Sequence, residues 1–341
     1  MRPPKGDIHL QAATTYPTWR DKVYPQTKAR PGGCVSWFKR KPSEAAPQQV
    51  SHSGPPLLAG RFRLGERIAE GGAGAVHEAI DLRTGGAAAV KLVALPAGLA
   101  GAQRKEWVDR LQREAALGRR LKHPDILAML DTGLTGTHAW LAMERVHGAD
   151  LSRYTQASRL LPEAEVLHIG ARVADALAHA HALGVVHRDL KPSNVLVDLG
   201  NNRVKLADFG VARLDGAQST KTGMTLGTPS YMAPELLVGD VASPASDAYA
   251  LGVMLFELLT GRRPHQAENL GELLRVTARE EPASLHALRP DLPASVCAAV
   301  QQLLARSPSQ RPADLAAWGA QIDALASVMT RLLAPTLARP D

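Results

Sequence analysis

Two short segments in the second half of the chain carry residue types that can perform chemistry on a phosphate. The first reads HRDLKPSN at residues 187–194, and the second reads DFG at 208–210, fourteen residues after Asn194. Carboxylate and amide oxygens suit Mg²⁺ beside a triphosphate, so Asp208 and Asn194 are candidate metal ligands, and Asp189 is a candidate base for an incoming hydroxyl. Seven specified positions would match by chance about once in a billion at average composition. A coincidental turn and strand end therefore do not explain the pattern.

A glycine-rich segment and a lysine precede these motifs. The segment EGGAGAV at 70–76 lies between two predicted strands, and its glycines let backbone N–H groups approach a phosphate. The segment is not a Walker A loop, since no GK[ST] follows, and an ordinary glycine-rich hairpin remains an alternative. Lys91, in the apolar run AAVKLV, is either an edge charge facing water or a buried cation. A buried cation needs an anion, for which Glu114 is a candidate.

The elements that position these residues begin with strands. Short apolar runs separated by glycine-rich breaks predict a β-meander, with strands FRLGERIA from Phe62, AVHEAI from Ala75 and GGAAAVKLVAL from Gly85. A run of mixed charged and apolar residues predicts a single helix over 104–121, loosened by Gly118.

The second half of the chain is mainly helical. Pro162 suits the first position of a helix and Gly184 its end, and apolar residues between them recur at steps of three and four. The run at 247–260 is apolar nearly all round, which is typical of a helix buried in the middle of a lobe. Later helices are predicted near 269–279, 293–305 and 313–325. This order predicts an α+β, two-lobed fold with a small β-rich lobe containing one helix and a larger helical lobe.

Composition restricts the class of protein. The chain has 341 residues, 45% hydrophobic and 21% charged, which is the globular range. Cys34 and Cys297 are far apart and lack ligand spacing, so neither a disulfide framework nor a structural zinc site is supported. No apolar stretch is long enough for a membrane span, and the N-terminus lacks an apolar signal core. We therefore expect a cytoplasmic protein without a membrane span.

The net charge of +7 is concentrated near the N-terminus. Residues 1–58 carry nine Lys and Arg against three Asp and Glu, which leaves 31 against 30 for the rest. We expect no nucleic-acid partner, although the basic run at 37–42 could touch anionic lipid or nucleic acid instead of being simply solvated. The chain is divided into a basic, Pro-rich, poorly ordered leader (1–59), a catalytic domain (60–325) and a short C-terminal tail (326–341).

Taken together, the motifs resemble the eukaryotic-type (Hanks-type) serine/threonine protein kinase family, in a bacterial-like form, over about residues 61–325. The resemblance implies transfer of the γ-phosphoryl group of ATP to Ser or Thr hydroxyls of protein substrates. It implies ATP with Mg²⁺, or Mn²⁺ in its place, as cofactors. Lys191, two residues after Asp189, is what serine/threonine kinases have at this point.

The resemblance also assigns residues to roles. Asp189 corresponds to the base, Lys191 to the cation that neutralises the transferring group, and Lys91 and Glu114 to an ion pair. Asn194 and Asp208 correspond to the metal ligands. The nucleotide contacts implied are Ala69, Gly71, Gly72, Gly74, Val76, Ala89, Lys91, Met143, Glu144, Val146, Asp150, Leu196 and Asp208.

Three further positions match the family outside the phosphate site. Glu235 belongs to an APE motif and is expected to pair with Arg311. Asp247 matches a buried acid that braces the catalytic loop.

A loop between the DFG and APE motifs carries several hydroxyls. The loop, 214–226, reads LDGAQSTKTGMTL, and we expect phosphorylation at Thr222 or Thr220 by a second copy of the chain. Arg188 and Arg213 match family positions that converge on such a phosphate, and Arg110 could reach the same place. Self-association for this reaction is a prediction.

Two departures from the family pattern bear on activity. Ala69 replaces the first glycine of GxGxxG, and Gly118 replaces a larger apolar residue behind Glu114. Neither change removes a charge, so we expect lowered or regulated activity rather than none. The alternatives are a pseudokinase scaffold or binding module, and a small-molecule kinase of related fold. The latter should lack the activation segment and APE motif, which this chain has.

Overall fold

A computed structural model describes residues 57–71, 74–95, 98, 101–209 and 229–333. The side chains of Arg110, Glu114, Leu332 and Leu333 lie outside this description. Most of the expected leader and the end of the expected tail also lie outside the described residues.

An antiparallel sheet of six strands forms the first part of the described chain, in the order β1-β2-β3-β4-β6-β5. Alternation in the strands buries one set of side chains, among them Phe62, Val90 and Trp140. The predicted meander corresponds to β2, β3 and β4, whereas β5 and β6 were not among the predicted strands. The strands are β1 (Leu57–Leu58), β2 (Phe62–Gly71), β3 (Gly74–Asp81), β4 (Ala87–Ala94), β5 (Met129–Thr135) and β6 (His138–Glu144).

Among the described residues of this lobe, α1 (Gly101–Arg120) is the one helix, as predicted, and it begins three residues earlier than expected. Trp107 and Leu111 of α1 are buried against Val93 and Leu141 of the sheet. Gly118, near the end of the helix, faces Met129 of β5, and a Cβ built on Gly118 would lie 3.0 Å from the Met129 Cε. The methionine thus occupies the space that a larger residue at 118 would fill.

The larger lobe is built around two helices, α2 (Glu163–Ala182) and α4 (Pro244–Thr260). Nearly all of α4 is buried, as the apolar run predicts. Ser243 and Ser246 cap the start of α4 reciprocally, and Gly261, with φ of 76°, ends it. Around these helices pack α3 (Pro234–Leu237), α5 (Leu270–Arg279), α6 (Leu285–Leu288), α7 (Ala294–Leu303) and α8 (Leu315–Leu333).

Helix α8 continues past residue 325, the predicted end of the last helix, to residue 333. Ala326 is fully buried and Met329 packs against the main core. The apolar face of α8 therefore extends more than one turn beyond residue 325.

A second, small sheet packs into the core of the larger lobe. It contains β7 (Ala149–Asp150), β8 (Val195–Asp198) and β9 (Arg203–Leu206), in that order. Strand β8 follows residue 194 directly, and β9 leads to Asp208. The sheet thus fixes the spacing between the two phosphate-chemistry motifs.

A matched pair of glycine substitutions tests this packing. Gly118→Ala should raise the free energy of unfolding by about 0.5–1 kcal/mol, because alanine favours the helix and the flexible Met129 side chain can yield. Gly252→Ala in α4 should instead lower it by about 1–3 kcal/mol, because the new Cβ would lie 2.7 Å from the Leu303 Cβ. Urea unfolding of both variants measures the difference, and equal shifts in the two would contradict the packing described.

Candidate active site

Asp247 fixes the backbone at the start of the HRDLKPSN segment. Its carboxylate, 2% exposed, accepts hydrogen bonds from the backbone N–H of His187 at 2.8 Å and of Arg188 at 2.9 Å. The His181 ring donates a third from Nε2 at 2.8 Å. A buried carboxylate is tolerated only when such donors satisfy it. The bracing role that the family resemblance implies for Asp247 agrees with these contacts.

The fully buried His187 ring connects the segment to the residue before DFG. Its Nε2 lies 2.9 Å from the carbonyl oxygen of Ala207, and its Nδ1 lies 3.3 Å from the backbone N–H of Asp189. A carbonyl can only accept and an N–H can only donate, which assigns the proton to Nε2. The ring also contacts Phe209, at 4.6 Å between centroids. His187 therefore couples the positions of Asp189 and the DFG motif.

Asp189 is held by two neighbours. Lys191 Nζ donates to its Oδ2 at 2.7 Å, and the Asn194 amide nitrogen donates to its carbonyl oxygen at 2.7 Å and to Oδ2 at 3.2 Å. The carboxylate keeps 19% exposure, so it is reachable from the cleft. The Asn194 amide nitrogen is committed to Asp189, which leaves its oxygen available as a ligand atom.

Lys91 is a buried cation rather than an edge charge. It lies in β4 between Val76 of β3 and Leu141 of β6, and its side chain is 13% exposed. Its Nζ is 3.2 Å from Asp208 Oδ2 and 3.4 Å from Oδ1. The sequence offered Glu114 as the partner of Lys91, and the side chain of Glu114 lies outside the described residues. Among the described side chains, Asp208 is the carboxylate that lies beside Lys91.

The glycine-rich segment is the tip of the β2–β3 hairpin. Ala69 pairs with Val76 and Gly71 pairs with Gly74 across the hairpin, while Gly72 lies outside the described residues. Gly74 has φ of 118°, and a Cβ there would lie 2.0 Å from the carbonyl oxygen of Leu92. No side chain fits at this position.

The remaining predicted nucleotide contacts lie on neighbouring strands. Ala89 of β4 is opposite Met143 of β6, and Asp150 of β7 is opposite Leu196 of β8. Val146, in the connection between β6 and β7, is buried. The Asp150 side chain accepts hydrogen bonds from the backbone N–H and the hydroxyl of Ser152. Asp150 thereby caps the short helical turn that follows it.

Glu144 has a structural role that sequence reasoning missed. Its carboxylate is 2.6 Å from Lys205 Nζ and 3.1 Å from the Arg203 guanidinium, and it accepts from the backbone N–H of Ala128 at 2.8 Å. The connection between the lobes is thereby tied to β9. The pairing residue is 61 positions away, so no local pattern indicates it. The side chain is committed to these contacts, and the backbone N–H of Glu144 donates to the carbonyl oxygen of Ala128 at 2.9 Å.

The expected pair of Arg311 and Glu235 is present. The Arg311 side chain is fully buried, and its two terminal nitrogens donate to the two carboxylate oxygens at 2.6 and 2.8 Å. The guanidinium also lies over the Tyr249 ring, 5.0 Å from its centroid. A buried bidentate pair fixes the end of the APE segment against the helical lobe.

The predicted regulatory residues are only partly described. Arg188 is exposed and has φ of 72°, a strained conformation that its two braced neighbours hold in place. Arg213, Thr220 and Thr222 lie outside the described residues.

Comparisons with known proteins agree with this geometry. A model of the protein kinase domain family matches residues 62–321. The probable serine/threonine-protein kinase pknA2 of Bifidobacterium longum is 36% identical over 272 residues, which are 80% of this chain and 36% of that protein. Serine/threonine-protein kinase PknA of Mycobacterium tuberculosis is 37% identical over 260 residues, covering 74% of this chain and 58% of that protein.

Solved structures show the same fold. The crystal structure of the Mycobacterium tuberculosis PknI kinase domain superimposes with a TM-score of 0.62 at 32% identity and covers 81% of this chain and 100% of that one. The two-lobed α+β fold predicted from the sequence is thereby confirmed as the protein kinase fold.

The fold and the site define a protein kinase domain. The chain belongs to the protein kinase family, and its kinase domain is of the bacterial serine/threonine (Hanks) type. It matches less than two thirds of the length of the two curated relatives above, 36% of one and 58% of the other. Among the residues that the structure describes, none of the helices combines the length and apolar composition that a bilayer crossing needs.

Two glycine substitutions distinguish the effect of a close contact from the effect of a positive φ alone. Gly74→Ala should raise the KM for ATP about tenfold or more, because the new Cβ would force β3 away from Leu92 and open the hairpin. Gly85→Ala also places alanine at positive φ, 72°, but meets no atom within 4 Å, so it should leave this KM unchanged. Initial rates at varied ATP measure both variants. An unchanged KM in Gly74→Ala would contradict the role of this close contact.

Proposed function

We propose that the chain is an active serine/threonine protein kinase. The observation that carries this proposal is the convergence of the two motifs: Asp189 is held by Lys191 and Asn194, and Asp208 lies beside the buried Lys91. Protein kinases act largely by positioning the reactants and stabilising charge, which is what such a set of groups supplies.

The donor set fits a nucleotide with a divalent ion. Asp208, with 34% side-chain exposure, and the amide oxygen of Asn194 offer the hard oxygen atoms that Mg²⁺ prefers, and Mn²⁺ accepts similar ligands. ATP bound with the ion supplies the phosphoryl group. Lys91 is a fixed cation that would contact phosphate oxygens. Gly74 and its hairpin neighbours allow the backbone to approach the phosphates.

The base of the nucleotide would lie between the two sheets. Ala89 and Val146, both buried, and Leu196 of β8 supply apolar surface for it. Backbone groups near Glu144 would orient its edge, because the Glu144 side chain is occupied by Lys205. Asp150 is the proposed ribose contact.

In the proposed reaction, the substrate hydroxyl oxygen forms a bond to the γ-phosphorus while the bond to the β–γ bridging oxygen breaks and ADP leaves. Asp189 orients the hydroxyl and accepts its proton. Lys191, 2.7 Å from Asp189, neutralises charge on the transferring group. Asn194 holds Asp189 in place through its amide nitrogen.

The relatives favour this enzyme over a non-catalytic scaffold, since they are named as serine/threonine-protein kinases. Lys91, Asp189, Asn194 and Asp208 are all present in this chain. No observation on the described residues favours the scaffold.

Two carboxylate substitutions should have different effects. Asp189→Ala should lower turnover at least about a hundredfold and largely spare nucleotide binding, because Asp189 acts on the hydroxyl. Asp208→Ala should abolish transfer and also weaken binding of ATP in the presence of Mg²⁺, because it removes a metal ligand. Labelled-phosphate transfer and calorimetric nucleotide binding measure the two effects.

A surface carboxylate provides the control. Asp240→Ala removes an exposed aspartate in the connection after α3 and should change neither quantity. Turnover above about a tenth of wild type in Asp189→Ala would exclude Asp189 as the main proton acceptor.

We also propose that a second copy of the chain phosphorylates Thr222 or Thr220. The proposal rests on the hydroxyl-rich sequence between DFG and APE and on Arg188, which precedes the base directly. A phosphothreonine carries nearly two negative charges and would pair with Arg188 and Arg213.

Removing both hydroxyls should lower the initial rate of substrate phosphorylation several-fold, since the Arg-paired phosphate is lost. The test compares the Thr220→Ala, Thr222→Ala double mutant with Arg188→Ala and with the combination of all three substitutions. A shared phosphate pocket predicts no further loss on combination. Full activity of the double mutant without any other phosphate in the loop, by mass spectrometry, would exclude the proposal.

A further inference from the structure

A cavity of about 340 Å³ lies beside the end of α4, away from the nucleotide site. Its walls come from the last turns of α4, the connection at 261–267 and the start of α5. We call it the basic cavity. The residues that define it are Ser230, Glu257, Arg262, Arg263, His265 and Leu273.

The charge of the basic cavity is positive. Arg262 and Arg263 contribute two permanent charges, and Glu257 is the one carboxylate in the lining. Glu257 is already engaged: the Tyr231 hydroxyl donates to its Oε2 at 2.5 Å, and Arg263 Nε lies 3.7 Å from its Oε1. Burial raises the pKa of Glu257.

Arg262 is the cation that remains available. It is exposed at the cavity wall, and no carboxylate of the described residues lies within 4.0 Å of its guanidinium. An arginine presents a planar fork of donors that matches the oxygens of a carboxylate or a phosphate group. The cavity is thus complementary to an anionic side chain.

Tyr231 connects the basic cavity to the catalytic residues. Its ring lines a small second cavity together with Arg188 and Asp189, while its hydroxyl reaches Glu257 at the wall of the basic cavity. Tyr231 therefore contacts the surroundings of Asp189 on one side and the wall of the basic cavity on the other. An extended peptide advances about 3.3 Å per residue, so a substrate whose hydroxyl is at Asp189 would bring a residue a few positions away to the cavity.

We infer that the basic cavity is a subsite for an anionic side chain of the protein substrate, with Arg262 as its principal contact. The anion is a carboxylate of Asp or Glu or the phosphate of a residue phosphorylated beforehand. The inference rests on the proposed kinase function and adds a substrate preference to it.

The test uses peptides that share one acceptor threonine and differ at a single position within four residues of it. That position carries Ala, Glu, phosphoserine or Lys, and kcat/KM is measured for each. We expect the wild-type chain to favour Glu or phosphoserine over Ala about tenfold at the best position, as charge-assisted hydrogen bonds imply. The Glu and phosphoserine arms distinguish the two sources of the anion.

Variants then locate the preference. Arg262→Gln should reduce it to about twofold or less, and Arg262→Glu should reverse it in favour of Lys. Arg279→Gln removes an exposed arginine from the end of α5, outside the cavity lining, and should leave the preference intact. The thermal unfolding midpoint of Arg262→Gln should match that of the wild-type chain, which shows that the variant is folded.

The outcomes separate the two proposals. If the wild-type chain phosphorylates the peptides without preferring an anion, or if Arg262→Gln keeps the preference, the subsite is excluded while the kinase function stands. If no peptide is phosphorylated, the subsite is tested by the binding of fluorescent peptides in which Ala replaces the acceptor threonine. Tighter binding of the Glu or phosphoserine peptide that is lost in Arg262→Gln supports the subsite, and equal binding of all peptides excludes it.

Discussion

The buried Asp247 carboxylate is the interaction on which the rest of the site depends. Removing such a group from water costs several kcal/mol unless hydrogen-bond donors surround it, and here His181 and two consecutive backbone N–H groups do so. Satisfying these oxygens holds Arg188 at φ of 72° and points His187 toward Ala207. The positions of Asp189 and Asp208 follow from this arrangement. A charge buried in the centre of the helical lobe thereby sets the geometry at its surface.

Ion pairs between residues far apart in sequence contribute to the contact between the lobes. Lys91 from the large sheet meets Asp208 at the end of the small sheet, and Glu144 ties the connecting segment to Lys205. Both ion pairs join residues far apart in sequence and are largely shielded from water, so they restrict the approach of the lobes more than exposed pairs would.

The sequence predicted those features that are encoded locally. The strands from Phe62 to Ala94 and the buried helix at 247–260 have patterns that periodicity reveals, and the family motifs indicated Asp247 and the pair of Arg311 with Glu235. The two strands after α1 were missed because MLDTGLT and HAWLAME contain Gly, Asp and Ala, which weaken a strand pattern. The partners of Lys91 and Glu144 could not be predicted from local pattern, since they depend on tertiary packing over 117 and 61 positions.

The ion pair of Glu144 with Lys205 also determines which substitutions, insertions and deletions the connection between the lobes can tolerate in evolution. Its two ends are pinned, by Lys205 at Glu144 and by the pairing of Asp150 with Leu196. Exposed side chains between them, such as that of His147, can be exchanged without moving either end. An inserted or deleted residue would instead shift β7 by one position and turn Asp150 to the opposite face of the small sheet. This connection is therefore constrained in length, and its composition can vary at His147 but not at Gly148, where a Cβ would lie 2.0 Å from the carbonyl oxygen of Val197.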